Sequence, residues 1–165
     1  MLRLALRIIG VLAALVAMIV GVGYALPVAH VASRSASVRQ PPEAIFAVIT
    51  DVARFPDWRS DVTSVEVLSP TPLRWREHGS NGDITFVADD VSRPTRLVTR
   101  IDDPSLPFGG TWTYELTPAG GGTTLTITEH GEVYNPVFRV MSRYVFGQTA
   151  TMDAYLASLQ KRLGG

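Results

Sequence analysis

The sequence predicts an α+β fold: a curved antiparallel sheet wrapped around a long C-terminal helix, with one transmembrane helix in front of it. Three patterns predict this. An uncharged apolar run occupies Ile8–Leu26. Several segments after Val62 alternate with a period of two, the spacing of a half-buried strand. One apolar stripe, stepping by three and four, covers roughly the last 27 residues and needs a sheet face to cover.

The run IIGVLAALVAMIVGVGYAL spans about 28 Å as a helix, close to the hydrocarbon thickness of a bilayer. It has no polar face, unlike a helix of a soluble core. Arg3 and Arg7 precede it, and Tyr24 sits where an interfacial aromatic would. By the positive-inside rule the N-terminus stays in the cytoplasm and the following domain emerges outside, at the cell membrane. The competing reading is a cleaved signal peptide, for which Gly23-Tyr24-Ala25 is the best cleavage sequence. The expected organisation is an anchor over residues 1–30 and one domain over 31–165.

Within the domain, Val31–Arg39 reads as a strand. Pro41-Pro42-Glu43 opens a helix, with proline in the first turn and an acid at the positive helix end. Ala44, Ile45, Val48 and Ile49 recur at helical spacing, and Phe55-Pro56-Asp57-Trp58 makes a second short helix or turn. Strands follow at Val62–Leu68, Leu73–His78, Ile84–Val91, Arg96–Ile101, Gly110–Thr117 and Thr123–Tyr134. Asn81-Gly82-Asp83 and the Pro118–Gly122 loop supply hairpin signals. Asn135 can cap a final helix with Pro136 in its first position. Its stripe runs through Phe138, Met141, Val145, Thr149, Met152, Leu156, Leu159 and Leu163, and Gly164-Gly165 ends it.

Composition excludes several function classes. The chain has 165 residues, no cysteine and a formal net charge of zero. Disulfides, thiolate catalysis and cysteine zinc sites are therefore excluded, and no basic face is available for nucleic acid. His30, His78 and His130 have neither the helical spacing nor the carboxylate cluster of a metal site. No P-loop, dinucleotide fingerprint or G-x-S-x-G occurs, so no cofactor is expected.

The stretch VRQPPEAIFAVITDVARFPDW and the segment Trp112–Pro118, followed by a glycine loop and Thr123-Thr124-Leu125, resemble the START/Bet v 1-like (SRPBCC) superfamily. This group is also described as polyketide cyclase/dehydrase and lipid transport proteins. The resemblance covers roughly Ala32–Leu163. It implies a helix-grip fold, which hosts lipid carriers, cyclases, hydrolases and chaperone activators alike. Many members carry a small polar residue and a proline after the turn tryptophan. Arg59-Ser60-Asp61 stands there instead.

A sheet curled around a helix leaves room for a cavity. The strand phases place Trp75, Phe86, Trp112 and Tyr114 on its concave side, opposite Met141, Val145, Thr149 and Met152, with Trp58 at its edge. Aromatic rings and flexible methionines suit an apolar ligand, although an ordinary filled core would use the same residues. Glu77 and Glu129 fall on the apolar phase of their strands, where a carboxylate is costly unless paired, hydrated or protonated. Three functions follow. The first is a carrier or binding module for a hydrophobic small molecule or lipid. The second is an enzyme on such a substrate with Glu77 or Glu129 as acid/base. The third is an interaction domain without a ligand.

Overall fold

The computed structural model describes residues 1–164, the Phe146 side chain excepted; Gly165, the last residue of the expected domain, lies outside the described residues. Helix α1 (Leu2–Ala25) is long and apolar enough to cross a membrane, and it stands clear of the rest of the protein except at its C-terminal end. Seven strands then form one antiparallel sheet: β1 (Ala29–Val38), β2 (Val62–Pro70), β3 (Leu73–Gly79), β4 (Gly82–Ser92), β5 (Arg96–Ile101), β6 (Phe108–Ala119) and β7 (Gly122–Val133). Their order across the sheet is β1-β7-β6-β5-β4-β3-β2. The hairpins account for every neighbour except β1 with β7. That pairing brings the first strand, which directly follows α1, against the last.

Between β1 and β2 lie α2 (Pro42–Thr50) and a 3₁₀ turn (Val52–Asp57). Pro42 occupies the first turn of α2 and Glu43 faces its positive end. Ile45, Phe46 and Ile49 of α2, with Val52 and Phe55 of the turn, are buried.

After β7 the predicted continuous helix is divided. Asn135 caps α3 (Pro136–Met141), its side chain accepting hydrogen bonds from the N–H groups of Val137 and Phe138. A π-helical turn follows (Ser142–Phe146), then Gly147, then α4 (Ala150–Arg162). The break has a local cause. Gly147 has φ +78° and ψ +146°, a region open essentially to glycine alone. The apolar stripe therefore spans two helical pieces that do not share one face.

The register explains where the core lies. On the concave face, Ile127 of β7, Tyr114 of β6 and Leu97 of β5 form one row, and Leu125 with Leu116 forms the next. Helix α4 covers these rows with Met152, Tyr155, Leu156 and Leu159, and α2 closes the same end with Ile45, Phe46 and Ile49. Three hydrogen bonds fasten α4 and the residue before it to the edge strand. Arg34 bonds Asp153 at 3.0 Å and Thr149 at 2.9 Å, and the Gln160 amide donates to the Ser37 carbonyl at 3.0 Å. On the convex face, Val87 is buried between its register partners Arg74 and Arg100. Arg74 and Arg100 are about half-exposed and bond Asp102 and Asp89. Their stems cover apolar surface while their heads stay wet.

Leu159 is fully buried in the closed half of the core. Leu159→Ala is expected to cost about 2–5 kcal/mol, read as a lower urea midpoint for the tryptophan fluorescence transition of the full-length chain in detergent.

Candidate ligand cavity

The sheet continues past the rows that α4 covers. Toward the end where β1 begins, the next concave row is Ala32, Glu129, Trp112, Thr99 and Ala88, and beyond it come His30, Gly131 and Gly110. On the far side of the sheet, Ile101, Phe86 and Trp75 make a matching row, with Ile84 and Glu77 beyond it. No residue of α4 before Ala150 exists to cover them. From α4 only Thr151 and Tyr155 reach this space; α3 and the π-helical turn bridge much of the rest, and a cavity of about 630 Å³ is left beneath them.

Trp75, Phe86, Trp112 and Tyr114 line this cavity. Trp75 and Phe86 stack with ring centroids 5.4 Å apart, and Trp112 meets Tyr155 edge-on at 5.8 Å. The remaining expected contacts stand apart from it. Met152 is fully buried in the closed core, and Thr149 is engaged by Arg34. Met141 is half-buried on α3 and Val145 is 62% exposed, because the break at Gly147 turns this part of the stripe away from the rows under α4. Trp58 packs edge-on against Phe55 and Tyr155 behind the cavity wall. The segment before the break supplies different residues, Phe138 and Ser142, and the break itself supplies Gly147 and Gln148.

The two inward carboxylates have different surroundings. Glu77, 8% exposed, accepts a hydrogen bond from the Trp75 indole at 3.0 Å and another from the Arg59 guanidinium at 3.0 Å. Arg59 also bonds Asp61 at 2.6 Å and lies over the rings of Phe55 and Tyr155, 5.1 and 5.3 Å from their centroids. Burial alone would make Arg59 less basic. The hydrogen bond it donates to Asp61 and the charge of Glu77 outweigh it and hold the guanidinium protonated more firmly than in water. Glu77 is thus neutralised by a structural ion pair at the cavity wall. Removing one partner of such a pair is costly, so its contribution is to architecture.

Glu129 has no such partner. It lies between Ala32 and Trp112 in the register, and burial pushes its carboxyl up from the ordinary 4.5, an effect that Trp112 offsets in part. His30 is 3.8 Å away, and burial pushes its imidazole down. Each group is shifted toward its uncharged form, so their contact is not a strong ion pair. Glu129 is the cavity carboxylate whose hydrogen-bonding capacity is left for something else. Tyr114 and Tyr155 adjoin, and burial raises both phenols above their ordinary range, so both remain protonated donors.

The sequence alone did not single out Arg59, His30 or Tyr155. An inward Glu77 demanded a counter-charge, and the Arg59-Ser60-Asp61 loop was the place to seek it. Tyr155 sits between Met152 and Leu159 on the same helix face. His30 became visible only when β1 paired with β7. Of the other histidines, His78 pairs with Asp83 at 2.8 Å, and His130 is exposed. Among the described residues no cluster of histidines and carboxylates suits a metal ion.

The raised Glu129 carboxyl has a stability consequence. As pH rises above 4.5 the unfolded chain releases this proton before the folded one does, so folding stability falls until the raised folded value is passed. The advantage of Glu129→Gln over the unmodified chain should therefore grow with pH through that window and then level off, as measured by urea unfolding at a series of pH values. A difference independent of pH would contradict this assignment.

Residues 29–164 match the family described as polyketide cyclase / dehydrase and lipid transport. No curated protein sequence matches the chain. Solved structures with the same fold include a START superfamily protein from Mycobacterium smegmatis, 16% identical, with a TM-score of 0.68 over 82% of this chain and 97% of that one. The Zhui aromatase/cyclase from a Streptomyces species is 14% identical, with a TM-score of 0.67 over 82% of this chain and 94% of that one. A conserved protein from Geobacillus kaustophilus is 16% identical, with a TM-score of 0.69 over 82% and 95%. With the family match spanning the sheet, the cavity and α4, the chain belongs to the polyketide cyclase/dehydrase and lipid transport family.

Proposed function

We propose that this protein binds a hydrophobic small molecule or lipid in the cavity between the sheet and its C-terminal helices, and that α1 holds it at a membrane. The observation that carries the reading is the cavity itself. Its volume of about 630 Å³ falls in the range of small-molecule sites, and its walls combine a large aromatic and aliphatic set with polar side chains that include His30, Arg59, Glu77, Glu129 and Glu132. Trp75, Phe86, Trp112 and Tyr114 supply the apolar contacts. Glu129, with His30 beside it, supplies a hydrogen-bonding end for a ligand with one polar group. This mixture suits an amphiphile, whose apolar body would lie against the aromatic rings and whose polar group would meet Glu129.

Tethering supports the same reading. A carrier held at the bilayer meets its apolar ligand at high local concentration and avoids transfer through bulk water. Arg3 and Arg7, ahead of the apolar run, favour, by the positive-inside rule, a cytoplasmic N-terminus and an external domain, with one crossing of the cell membrane.

A second reading, an enzyme acting on a hydrophobic or aromatic substrate, rests on one observation: Glu129, raised by burial, lies 3.8 Å from His30 inside the cavity with no arginine against it. Such a carboxyl is suited to acid/base work. Glu77 is less suited, because Arg59 and Trp75 already use it.

Native mass spectrometry and organic extraction of the purified protein are expected to recover a bound or bindable amphiphile, and Trp112→Ala should weaken its binding by up to about tenfold. Glu129→Gln should leave a carrier loaded, whereas loss of turnover at unchanged ligand affinity would favour the enzyme. Absence of any bindable hydrophobe would sink both readings. The orientation has its own check: external protease should digest the domain in intact cells, and full protection would reverse the topology.

A further inference from the structure

The cavity lies at one pole of the sheet, and α1 enters at that same pole. The residues lining it near β1, β6 and β7 come from the start of β1, the start of β6 and the end of β7, while the β6–β7 hairpin at Ala119–Gly122 marks the opposite pole, about 35 Å away along the strands. Helix α1 is connected to β1 by only Leu26, Pro27 and Val28. The domain therefore cannot move its cavity end far from the point where α1 leaves the bilayer.

The contact between α1 and α3 sharpens this. Gly23 is the buried residue of α1, and a side chain there would collide with the Pro136 carbonyl, so glycine permits the close approach. Ile19 and Val20, one turn earlier on α1, are half-buried while most of the helix is exposed. Arg139 of α3 donates to the carbonyl of Leu26 at 2.9 Å and to that of Tyr134 at 3.0 Å, tying the end of α1 to the start of α3. Gly23 and Ile19 lie three and seven residues inside the end of the apolar run, or about 5–10 Å along the helix axis. Whatever packs on those residues sits at the same depth.

The exposed surface of that segment fits such a place. Val137, Phe138, Tyr144 and Val145 are 40–64% exposed. From Val133 to Met152 there is no acidic residue, while Arg139 and the exposed Arg143 are basic. Apolar and aromatic residues with arginine and no acid are the composition of an interfacial helix on a lipid surface. A soluble domain surface gives no reason for four large apolar side chains on eleven consecutive residues.

We propose that Pro136–Phe146 lies in the headgroup and upper acyl region of the leaflet from which α1 emerges, so that the cavity mouth at Phe138 and Gly147 opens against that leaflet. Both residues line the cavity and both are exposed, which makes them its rim. The occupant of this surface is lipid, and a ligand taken from the membrane would enter beside Phe138 without crossing water. This inference rests on the reading of α1 as a membrane span and of the cavity as a ligand site.

The chain has no cysteine, so single labels report cleanly. Full-length protein carrying an environment-sensitive fluorophore at Val145→Cys or Tyr144→Cys, in phosphatidylcholine and phosphatidylglycerol vesicles, is expected to be quenched by lipids bearing a doxyl group near the headgroup. Val16→Cys, near the middle of α1, reports the anchor through lipids bearing the doxyl group deep in the acyl chain, and Ala119→Cys reports the distant hairpin, which should stay unquenched. Quenching at 16 but at neither 144 nor 145 would overturn the inference and leave the anchor standing. No quenching at 16 would remove the anchor and the inference together. A protein covering the segment would also leave 144 and 145 unquenched by lipid.

Discussion

The structure turns on the incomplete cover of one sheet face. Seven strands present a concave surface longer than α4, and α4 starts only at Ala150 because Gly147 adopts a backbone conformation that no α-helix contains. Rows under α4 close into a packed core of Leu116, Leu125, Ile127, Met152, Leu156 and Leu159. Rows beyond it meet α4 only through Thr151 and Tyr155 and are otherwise bridged by α3 and a π-helical turn, and they keep a cavity. Had the stripe formed one unbroken helix, its apolar residues would have continued over the Trp112 row and filled the space that the ligand reading requires.

Within the cavity, chemistry is divided between two carboxylates of the same type. Strand phase points both inward, yet one is consumed by architecture and the other is not. Arg59 reaches Glu77 because the 3₁₀ turn carrying Phe55 delivers the Arg59-Ser60-Asp61 loop to the end of β3. The guanidinium is further held between two aromatic rings, which is why a buried charge is tolerated there. Glu129 sits in a central strand whose neighbours are Ala32 and Trp112, neither of which carries charge. Burial then shifts its proton affinity upward and leaves its oxygens available.

The pole of the sheet that keeps the cavity is also the pole at which α1 arrives. That coincidence follows from topology. β1 is the strand nearest α1 in sequence, and pairing it antiparallel with β7 places its start beside the end of β7, where α3 begins. The short link of Leu26–Val28, the Gly23–Pro136 approach and the Arg139 latch all follow from that pairing. A family fold used by carriers and cyclases alike is here built with its hollow end toward its own apolar helix.

The fold itself was legible in the sequence. The uncharged run before Leu26, the period-two strands, the Pro-Pro-Glu helix start and the Asn135-Pro136 cap are local signals, and each arises from interactions within a few residues. Alternation likewise shows that Glu77 and Glu129 share a face with Trp75 and Trp112. The partners across space were not legible. Arg59 with Glu77, His30 with Glu129, and Gly23 with Pro136 join residues 18, 99 and 113 positions apart, and nothing in local spacing encodes such meetings. The division of the C-terminal stripe lay between these cases. Gly147 was visible as a helix-weakening residue, but an α-helix tolerates one glycine at about 1 kcal/mol. Only the demand of the sheet, closed at one pole by α4 and joined to α1 through α3 at the other, decided that the helix should break there and so which apolar residues face the cavity.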